Sequence, residues 1–291
     1  MKDRVLITGV SGFIGFNLYN YLKKKGLAVK GIDNFKTKNK YIKKNKSDKN
    51  FINCDILDEK KLKKVLNKFD IIIHLAAIED LDFIKKYPDY CFKVNFDGTR
   101  NIINNLNHKQ IFIYFSSNVA YGNSNTRIIH ENLTMKPENI YGLSKYLSEK
   151  YLIHSSKIKN INYLILRNFT TFGPYQGLKS FIPTLINSLL KKKKIKLFNP
   201  KKFRDLQFID DLSSNVYQLI KKKQKIKNNI FNMASGKPYS SYTIAKKLYA
   251  MNNLYFKNEK KFEKLKFSQK VSINKMQKFL KKDFSRTKIN L

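Results

Sequence analysis

Tyr141 and Lys145 are the residues whose types and spacing most directly suggest chemistry. Four positions apart in a helix, they share one face, with Cβ atoms about 5–6 Å apart. An ammonium group held there stabilises a phenolate, so we expect Lys145 to lower the pKa of Tyr141 from its ordinary value of about 10. Such a tyrosine can take a proton from a hydroxyl group or return it to a ketone. The spacing also occurs by chance, so its meaning depends on the elements around it.

The first 170 residues alternate apolar, β-branched runs with amphipathic stretches. The predicted strands are Val5–Ile7, Val29–Ile32, Phe51–Ile52, Ile71–Leu75, Ile111–Phe115 and Tyr163–Leu166. The predicted helices between them are Gly12–Lys25, Glu59–Phe69, Tyr90–Leu106 and Tyr141–Ser155. Strands that are apolar on both faces and alternate with helices are typical of a doubly wound parallel sheet. We therefore predict an α/β fold of Rossmann type over residues 1–170.

The pattern loosens after Gly173-Pro174. The elements predicted there are a helix at about Phe181–Lys191, a short strand at Lys196–Phe198, a helix over Leu212–Lys221, a strand at Ile230–Met233 and a helix from Tyr242. We predict that residues 171–291 form a smaller, substrate-binding lobe, from which a segment at about 205–235 returns to the large domain.

Gly9, Gly12 and Gly15 follow the first strand directly and open the first helix. A strand, a glycine turn and a helix in this order allow the backbone to approach a pyrophosphate. The unpaired N–H groups at the helix N-terminus and the helix dipole both favour an anion there. The sequence therefore predicts a dinucleotide site at this turn.

Asp33 closes the second predicted strand. A carboxylate at this point can accept both hydroxyls of the adenosine ribose and would repel a 2′-phosphate, which favours NAD over NADP. Lys36 and Lys38 lie nearby and could serve such a phosphate, so they weaken the preference.

The net charge of +38 is the unusual feature of the composition, with 59 basic residues against 21 acidic ones. A charge of this size would favour a polyanion such as nucleic acid. The excess is nearly all lysine and is spread along the chain, as an AT-rich genome would produce, and the aromatic residues form no RNA-binding motif. We therefore expect no specific nucleic-acid partner. We also expect no metal site.

Two cysteines, Cys54 and Cys91, are too few for a disulfide framework and fit a reducing compartment. The longest strongly apolar run, Ile71–Ile78, is far shorter than a membrane span. Because the first strand follows the start of the chain at once, no signal peptide is expected. The sequence predicts a soluble, cytoplasmic protein.

An ordered series of short motifs extends over residues 4–245. It consists of the Gly9/Gly12/Gly15 turn, Asp33, Cys54–Asp58, His74–Ala77, Asn95–Asn101, Ser116–Gly122, Tyr141/Lys145, Arg167 with Gly173-Pro174, Arg204-Asp205 with Asp210-Asp211, and Asn232–Gly236. In this order the motifs resemble the extended short-chain dehydrogenase/reductases of the NAD-dependent nucleotide-sugar epimerase/dehydratase family, in particular its 4-epimerases. The resemblance implies NAD as cofactor, a nucleotide-diphosphate sugar as substrate and a homodimer joined through the helices at about Tyr90–Leu106 and Tyr141–Ser155.

The resemblance also implies roles for matching residues. Ser117, Tyr141 and Lys145 would be catalytic: Ser117 would bind the reacting hydroxyl, Tyr141 would be the acid/base, and Lys145 would hold the nicotinamide ribose. The cofactor-binding set it implies is Gly9, Gly12, Phe13, Ile14, Gly15, Asp33, Asn34, Asp55, Ile56, Leu75, Ala76, Ala77, Asn95, Tyr141 and Lys145. The substrate-binding set is Ser117, Asn118, Thr170 and Arg204. Arg204 would contact the diphosphate; a salt bridge with Asp205 or Asp210 is the alternative.

Asn118 and Val119 follow Ser117, where related dehydratases and decarboxylases carry acids and 3,5-epimerising reductases carry a cysteine. The resemblance therefore favours oxidoreduction at sugar C4 alone. The activity predicted first is a 4-epimerase with tightly held NAD, and the alternative is a 4-keto-sugar reductase. A cofactor-binding regulator without catalysis stays open as a third hypothesis, although such members commonly lose the Tyr/Lys pair that this chain keeps.

The substrate side departs from the family pattern. Thr170 replaces an asparagine, Leu206 replaces an aromatic residue, and the late Arg-x-Gly-Asp stretch is not recognisable. The resemblance therefore predicts the cofactor and the reaction class and leaves the identity of the sugar open.

Overall fold

The computed structural model describes residues 3–36, 49–123, 126–191, 197, 200, 202–251 and 270–282. Its strands are β1 (Arg4–Thr8), β2 (Ala28–Asp33), β3 (Phe51–Asn53), β4 (Ile71–His74), β5 (Ile111–Ser117), β6 (Ile128–Ile129), β7 (Asn162–Asn168), β8 (Thr170–Phe172), β9 (Phe203–Phe208), β10 (Asn229–Met233), β11 (Pro238–Ser240) and β12 (Lys270–Val271). Its α-helices are α1 (Phe13–Lys24), α2 (Glu59–Leu66), α3 (Leu81–Lys86), α4 (Pro88–Phe92), α5 (Gly98–Asn104), α6 (Ile140–Lys159), α7 (Phe181–Leu190), α8 (Ile209–Lys221), α9 (Ser241–Ala250) and α10 (Asn274–Leu280).

One seven-stranded sheet dominates the fold, in the order β10-β7-β5-β4-β1-β2-β3. Every neighbouring pair in it is parallel. The strand order reverses between β1 and β4, so the loops that leave their carboxyl ends diverge and form a crevice there. The predicted Rossmann-type doubly wound sheet is confirmed.

The sheet is buried on both faces, as its apolar strands require. In β1, Val5 and Ile7 belong to a core that includes residues of α1, α8 and α10. Leu6, which lies between them and points the other way, belongs to a second core with residues of α2, α5 and α6. This two-sided burial explains why the strands read as continuous apolar runs and not as alternating ones.

The helix predicted over Tyr90–Leu106 is confirmed as helical over Tyr90–Asn104, but it is not α-helical throughout. The chain forms α4, then a π-helical turn at Lys93–Asp97, and then α5. A π turn inserts one residue and shifts the helical pattern by one position, a change too local for the spacing of apolar residues to reveal it. The turn contains Asn95, whose side chain is buried.

The smaller lobe has its own three-stranded sheet, in the order β11-β9-β8, with α7 and α9 packed beside it. Its core includes Phe172, Leu185, Leu206 and Ile244. Leu206, which stands where the family resemblance expects an aromatic residue, is 1% exposed and therefore serves this core.

The chain returns to the large sheet after β9. Helix α8 contributes Leu212 and Val216 to the core beneath β1, and β10 pairs with β7 at the sheet edge. The return thus begins at Ile209, because β9 itself belongs to the small sheet. Strand β12 pairs with β6.

The short strand predicted at Lys196–Phe198 falls largely outside the described residues, and so does Lys38. Within the part of the chain that is described, none of the helices combines the length and apolarity that crossing a bilayer requires.

Candidate active site

The glycine turn packs directly against the loop that follows β4. Gly9 has a φ of +73°, and a Cβ there would lie 2.6 Å from the backbone nitrogen of Ala76. A Cβ on Gly15 would lie 2.2 Å from the carbonyl oxygen of Gly9. Both positions therefore need glycine, since the first requires left-handed backbone and the second allows α1 to approach the turn.

The N-terminus of α1 carries groups that suit an anion. Gly12 is its N-cap and provides no side-chain hydrogen bond, so N–H groups of the first turn, at Phe13 and Ile14, are not satisfied by a capping side chain. The hydroxyl of Ser11, in the same turn, is buried and has no hydrogen-bond partner among the described residues. An orphaned hydroxyl beside uncapped N–H groups fits a pyrophosphate.

Asp33 lies half-buried at the end of β2, where its carboxylate accepts hydrogen bonds from the backbone N–H groups of Ser11 (3.0 Å) and Phe35 (2.9 Å). These bonds fix the carboxylate against the glycine turn and leave lone pairs for ribose hydroxyls. Lys36 does not lie free for a 2′-phosphate, because its Nζ pairs with Asp55 at 3.4 Å.

Asp55 follows β3 and lies beside Asn34, which donates a hydrogen bond to it at 3.1 Å. Hydrogen bonds from Leu57 N–H and Asn34, together with the ammonium of Lys36, outweigh partial burial and lower the pKa of Asp55. The next residue, Ile56, is buried where α5 begins. Asp55 and Asn34, both in the predicted cofactor-binding set, thus lie together, while Ile56 serves mainly as core.

A buried histidine fixes the loop after β4. His74 Nδ1 lies 2.6 Å from Thr8 Oγ1, and its Nε2 lies 2.8 Å from Thr99 Oγ1. Full burial, helped by the charge of Lys145, lowers the pKa of His74 well below its ordinary value, so the ring is neutral. Thr8 Oγ1 also accepts the N–H of Ala76 at 3.2 Å.

Leu75, Ala76 and Ala77 consequently lie partly exposed at the carboxyl edge of the sheet, beside the glycine turn. The structure therefore brings this predicted cofactor-binding stretch together with Gly9, as the sequence anticipated.

The side chain of Asn95 fixes the same loop after β4 at Ile78. Its Oδ1 accepts the N–H of Ile78 at 2.7 Å, and its Nδ2 donates to the Ile78 carbonyl at 3.0 Å. The backbone carbonyl of Asn95 in turn accepts hydrogen bonds from Thr99 (2.6 Å) and from Ser148 of α6 (3.5 Å). The amide predicted to touch the cofactor thus holds the loop that lines its site.

Ser117 ends β5 and is buried, with its Oγ accepting the N–H of Val119 at 3.2 Å. Asn139 caps α6 through the N–H of Gly142 at 2.8 Å. A Cβ on Gly142 would lie 2.8 Å from the carbonyl oxygen of Val119, so glycine allows the start of α6 to press against the turn that carries Ser117. Asn118, in that turn, is half-buried.

Tyr141 and Lys145 meet Ser117 at this contact. The hydroxyl of Ser117 lies near enough to the Tyr141 phenol to lower the pKa of that phenol. Lys145 Nζ donates to the Phe115 carbonyl at 2.9 Å and lies 5.9 Å from the centre of the Tyr141 ring. The three residues predicted to be catalytic are therefore neighbours, contributed by the end of β5 and the first turns of α6.

The prediction that Lys145 lowers the pKa of Tyr141 below its ordinary value is wrong for the protein without bound ligands. Loss of hydration and the negative charge of Glu79 raise the pKa of Tyr141 above its ordinary value, and the Ser117 hydroxyl only partly offsets them. Burial also lowers the pKa of Lys145 to about 8, against the opposing effect of Glu79 and Glu149. Burial at the site thus outweighs the charge effect that spacing alone suggested.

Glu79 is the residue of this site that sequence analysis missed. It is exposed in the loop after β4, and its charge acts on both Tyr141 and Lys145. Loss of hydration raises the pKa of Glu79; the charge of Lys145 opposes the rise, and the charge of Asp80 adds to it. A signal was present, because a charged residue soon after a buried parallel strand lies at the edge where such sheets bind ligands.

Arg204 lies half-buried on β9, with its guanidinium carbon 4.3 Å from the centre of the Phe181 ring and its Nε donating to Ser241 at 3.2 Å. Neither Asp205 nor Asp210 forms a salt bridge with it within the described structure. Burial lowers the pKa of Arg204. A half-buried cation without a carboxylate partner is available for an anionic ligand.

Two other residues bear on the substrate side. Loss of hydration and the charge of Arg204 lower the pKa of Lys202, so two cations act on each other here. Thr170 begins β8 and is half-buried, paired in register with Leu206 of β9. The structure gives Thr170 no contact that assigns it to a ligand.

The candidate site thus combines an uncapped helix N-terminus, a fixed carboxylate at the end of β2 and a Ser-Tyr-Lys group along one edge of the sheet. A family model described as the NAD dependent epimerase/dehydratase family matches residues 5–234. The chain belongs to that family. It is 30% identical over 250 residues to GDP-6-deoxy-D-talose 4-dehydrogenase of Aggregatibacter actinomycetemcomitans, covering 83% of this chain and 77% of that protein.

Other relatives carry different activities. The chain is 28% identical over 267 residues to UDP-N-acetyl-alpha-D-glucosaminuronate decarboxylase of Bacillus cytotoxicus, covering 87% and 81% of the two chains. It superposes with a TM-score of 0.82 and 26% identity on UDP-glucuronic acid 4-epimerase of Bacillus cereus in complex with NAD, covering 96% and 90%. Family membership thus establishes a nucleotide-sugar enzyme scaffold and leaves the reaction to the site itself.

Proposed function

We propose that this protein is an NAD-dependent nucleotide-sugar 4-epimerase that works by transient oxidation at sugar C4. The observation that carries the proposal is the convergence of three residues: the Ser117 hydroxyl acts on the Tyr141 phenol, and the Lys145 Nζ lies 5.9 Å from the centre of the tyrosine ring. A hydroxyl, a phenol and an ammonium together can bind a sugar hydroxyl and move its proton while that carbon is oxidised.

The cofactor fits the residues that surround the glycine turn. Ser11 and the N-terminus of α1 would bind the pyrophosphate, Asp33 would bind the adenosine ribose, and Lys145 would hold the nicotinamide ribose. The fixed carboxylate of Asp33 and the ion pair of Lys36 with Asp55 favour NAD over NADP. When bound, NAD supplies the hydride acceptor and returns the hydride to the sugar.

The chain's own residues would handle the proton. Ser117 would hold the C4 hydroxyl against Tyr141. The phenolate form of Tyr141 would accept the hydroxyl proton, and the phenol so formed would return it after the ketone has rotated in the site. Because Lys145 has a pKa of about 8, it is mostly an ammonium at neutral pH and can stabilise the phenolate that forms. Arg204 would bind the diphosphate, since its guanidinium has no carboxylate partner among the described residues.

A second function is a 4-keto-sugar reductase. The relative named GDP-6-deoxy-D-talose 4-dehydrogenase, at 30% identity, favours it. The same Ser-Tyr-Lys group would then protonate a ketone, and the cofactor would have to dissociate after every turnover. The third hypothesis, a regulator without catalysis, is disfavoured by the intact Ser-Tyr-Lys geometry.

The test begins with the nucleotide that copurifies with the protein. Purified protein is denatured, the released nucleotide is identified by mass spectrometry, and intact protein is offered UDP-, dTDP-, GDP- and CDP-sugars. Stoichiometric NAD with sugar interconversion in the absence of added cofactor supports the epimerase. An empty site with NADPH-dependent ketone reduction would favour the reductase instead.

Tyr141→Phe is the matched variant, because it removes one hydroxyl and keeps the ring. It should abolish turnover by an enzyme of either kind and leave NAD binding within about threefold of wild type. Equal turnover by both proteins would contradict the assignment of Tyr141. The homodimer remains a prediction, which light scattering on the purified protein would check.

A further inference from the structure

Glu79 lies between two fixed points of the backbone. Ile78, directly before it, is held at both its N–H and its carbonyl by the amide of Asn95. Asp80, directly after it, caps α3 by accepting the N–H groups of Asp82 and Phe83, both at 3.0 Å. Anchors on both sides hold the backbone of Glu79 at a defined place beside the carboxyl edge of β4.

That place is tied to the helix that carries the acid/base pair. The carbonyl of Asn95 accepts a hydrogen bond from Ser148, which lies one turn after Lys145 on α6. Strand β4 also pairs with β5, with His74 opposite Tyr114, so the loops that begin after His74 and Ser117 leave neighbouring strand ends. Glu79, Ser117, Tyr141 and Lys145 therefore form one cluster of groups around the edge where substrate would react.

The charged groups of this cluster act on one another. Glu79 acts on the pKa values of Tyr141 and Lys145, raising both, and Lys145 acts back on Glu79. Asp80 is the other acid that acts on Glu79, and Glu149 acts on Lys145 from within α6. Among these acids, Glu79 alone is exposed in the loop and also acts on the pKa of Tyr141, and its carboxylate has no hydrogen-bond or ion-pair partner among the described residues.

We propose that Glu79 determines substrate specificity by accepting a hydrogen bond from a hydroxyl of the sugar beside the reacting carbon, and that it thereby selects uncharged sugars over uronic acids. The inference rests on the proposed function at the same site. A carboxylate accepts hydroxyl protons well, whereas it repels a second carboxylate brought into the same partly desolvated cleft. Discrimination of this kind works by rejecting the wrong ligand as much as by binding the right one.

The net charge of the chain acts in the opposite direction. With +38, the long-range field attracts a uronate more than a neutral sugar. Any preference for the neutral sugar must therefore arise from a local group, and it should grow when salt screens the field over a Debye length of about 8 Å at 0.15 M.

The experiment compares UDP-glucose with UDP-glucuronate, which differ only at C6. Affinities of both for purified full-length protein are measured by isothermal titration calorimetry at 0.15 M salt, for wild type, Glu79→Gln and the control Asp89→Asn. The control removes the same charge from an exposed position on α4. Circular dichroism melting curves establish that each variant is folded.

Wild type should bind UDP-glucose at least about tenfold more tightly than UDP-glucuronate, since like charges in close contact are strongly disfavoured. Glu79→Gln should bind UDP-glucuronate at least about tenfold more tightly than wild type does, because the amide removes the repulsion. Asp89→Asn should leave the ratio of the two affinities within about twofold.

The proposal is overturned if wild type prefers UDP-glucuronate, shows no preference, or binds neither sugar nucleotide measurably. It is also overturned if Glu79→Gln leaves the ratio of the two affinities unchanged, or if Asp89→Asn shifts that ratio as much as Glu79→Gln does. Binding is measured without turnover, so these results stand apart from those of Tyr141→Phe. A protein without epimerase activity that still distinguishes UDP-glucose from UDP-glucuronate through Glu79 would refute the proposed reaction and support the role of Glu79 in specificity.

Discussion

The carboxylate of Glu149 and the guanidinium of Arg167 form a buried, bidentate ion pair between α6 and β7. Nε of Arg167 donates to both carboxylate oxygens, at 3.1 and 3.2 Å, and Nη2 donates to Oε2 at 2.7 Å. The side chain of Arg167 is 4% exposed and that of Glu149 is 0% exposed. Glu149 lies one helical turn after Lys145, so the pair fixes the helix face that carries the acid/base residues.

Glu149→Gln is expected to destabilise the protein by about 3–5 kcal/mol, because it leaves the buried Arg167 charge without its counter-charge. Urea unfolding followed by circular dichroism would measure the change. The double variant Glu149→Leu with Arg167→Leu removes both charges and should lie closer to wild type. A single variant as stable as wild type would show that the ion pair is not buried in solution.

The parallel sheet could be predicted from the sequence because the pattern that reveals it is local. Apolar runs such as Ile71–His74 alternate with amphipathic helices, and the glycines that follow β1 have steric reasons visible in their spacing. The π turn at Lys93–Asp97 could not be predicted, since it changes the backbone hydrogen bonds of a single turn and no residue type marks it. The pairing of Glu149 with Arg167 also could not, because the two lie 18 positions apart on different elements.

The site could be predicted only in part, because some of its residues belong to local motifs and others meet them only in the fold. Ser117, Tyr141 and Lys145 belong to motifs and meet as expected, whereas Glu79 belongs to none and enters the cluster only through the folded loop. The pKa of Tyr141 was predicted in the wrong direction, because spacing reveals the nearby charge of Lys145 and not the loss of hydration that outweighs it. Burial is a property of the whole fold.

Gly9→Ala should destabilise the protein by at least about 3 kcal/mol, combining a left-handed backbone with a clash against Ala76. The matched control is Gly26→Ala. Gly26 also has a positive φ, +79°, but a Cβ there meets nothing within 4 Å. That control should cost only about 1–2 kcal/mol. Urea unfolding of both variants measures the difference, and equal losses would contradict the close approach of Gly9 to Ala76.

Asn95→Leu should lower both stability and turnover, because it leaves the N–H and carbonyl of Ile78 without the partners that position Glu79. We expect a loss of about 1–3 kcal/mol in the free energy of unfolding. The control Asn101→Ala removes a hydrogen bond to the Ile56 carbonyl and should reduce stability with little effect on turnover. If both variants lose activity only in proportion to their stability, Asn95 has no positioning role.

Arg204→Lys should raise KM roughly 10- to 100-fold with little change in kcat, since a charge-assisted hydrogen bond contributes about 1.5–3 kcal/mol and lysine cannot bind bidentately. UDP alone should lose affinity by the same factor, because the contact is to the diphosphate. Ser241→Ala, which removes only the partner of Arg204 Nε, should have a smaller effect. A fall in kcat at unchanged KM would instead place Arg204 near the reacting carbon.

Glu79→Gln should lower the pKa of both Tyr141 and Lys145. A nearby negative charge opposes formation of a phenolate and favours an ammonium, so it raises both values, and its removal lowers both. Lys145 should then titrate below about 8, and a larger fraction of it should be neutral at neutral pH. The variant therefore loses part of the ammonium that the phenolate needs, although the phenol itself ionises more readily.

Carbon-13 NMR of protein labelled at lysine Cε measures this shift, because Lys145 titrates well below the ordinary lysine value of 10.5. Its resonance is assigned by its loss in Lys145→Met. Asp89→Asn, which removes the same charge from α4, should leave the titration unchanged. A Lys145 resonance that titrates at the same pH in wild type and Glu79→Gln would mean that the two side chains do not lie close together in solution.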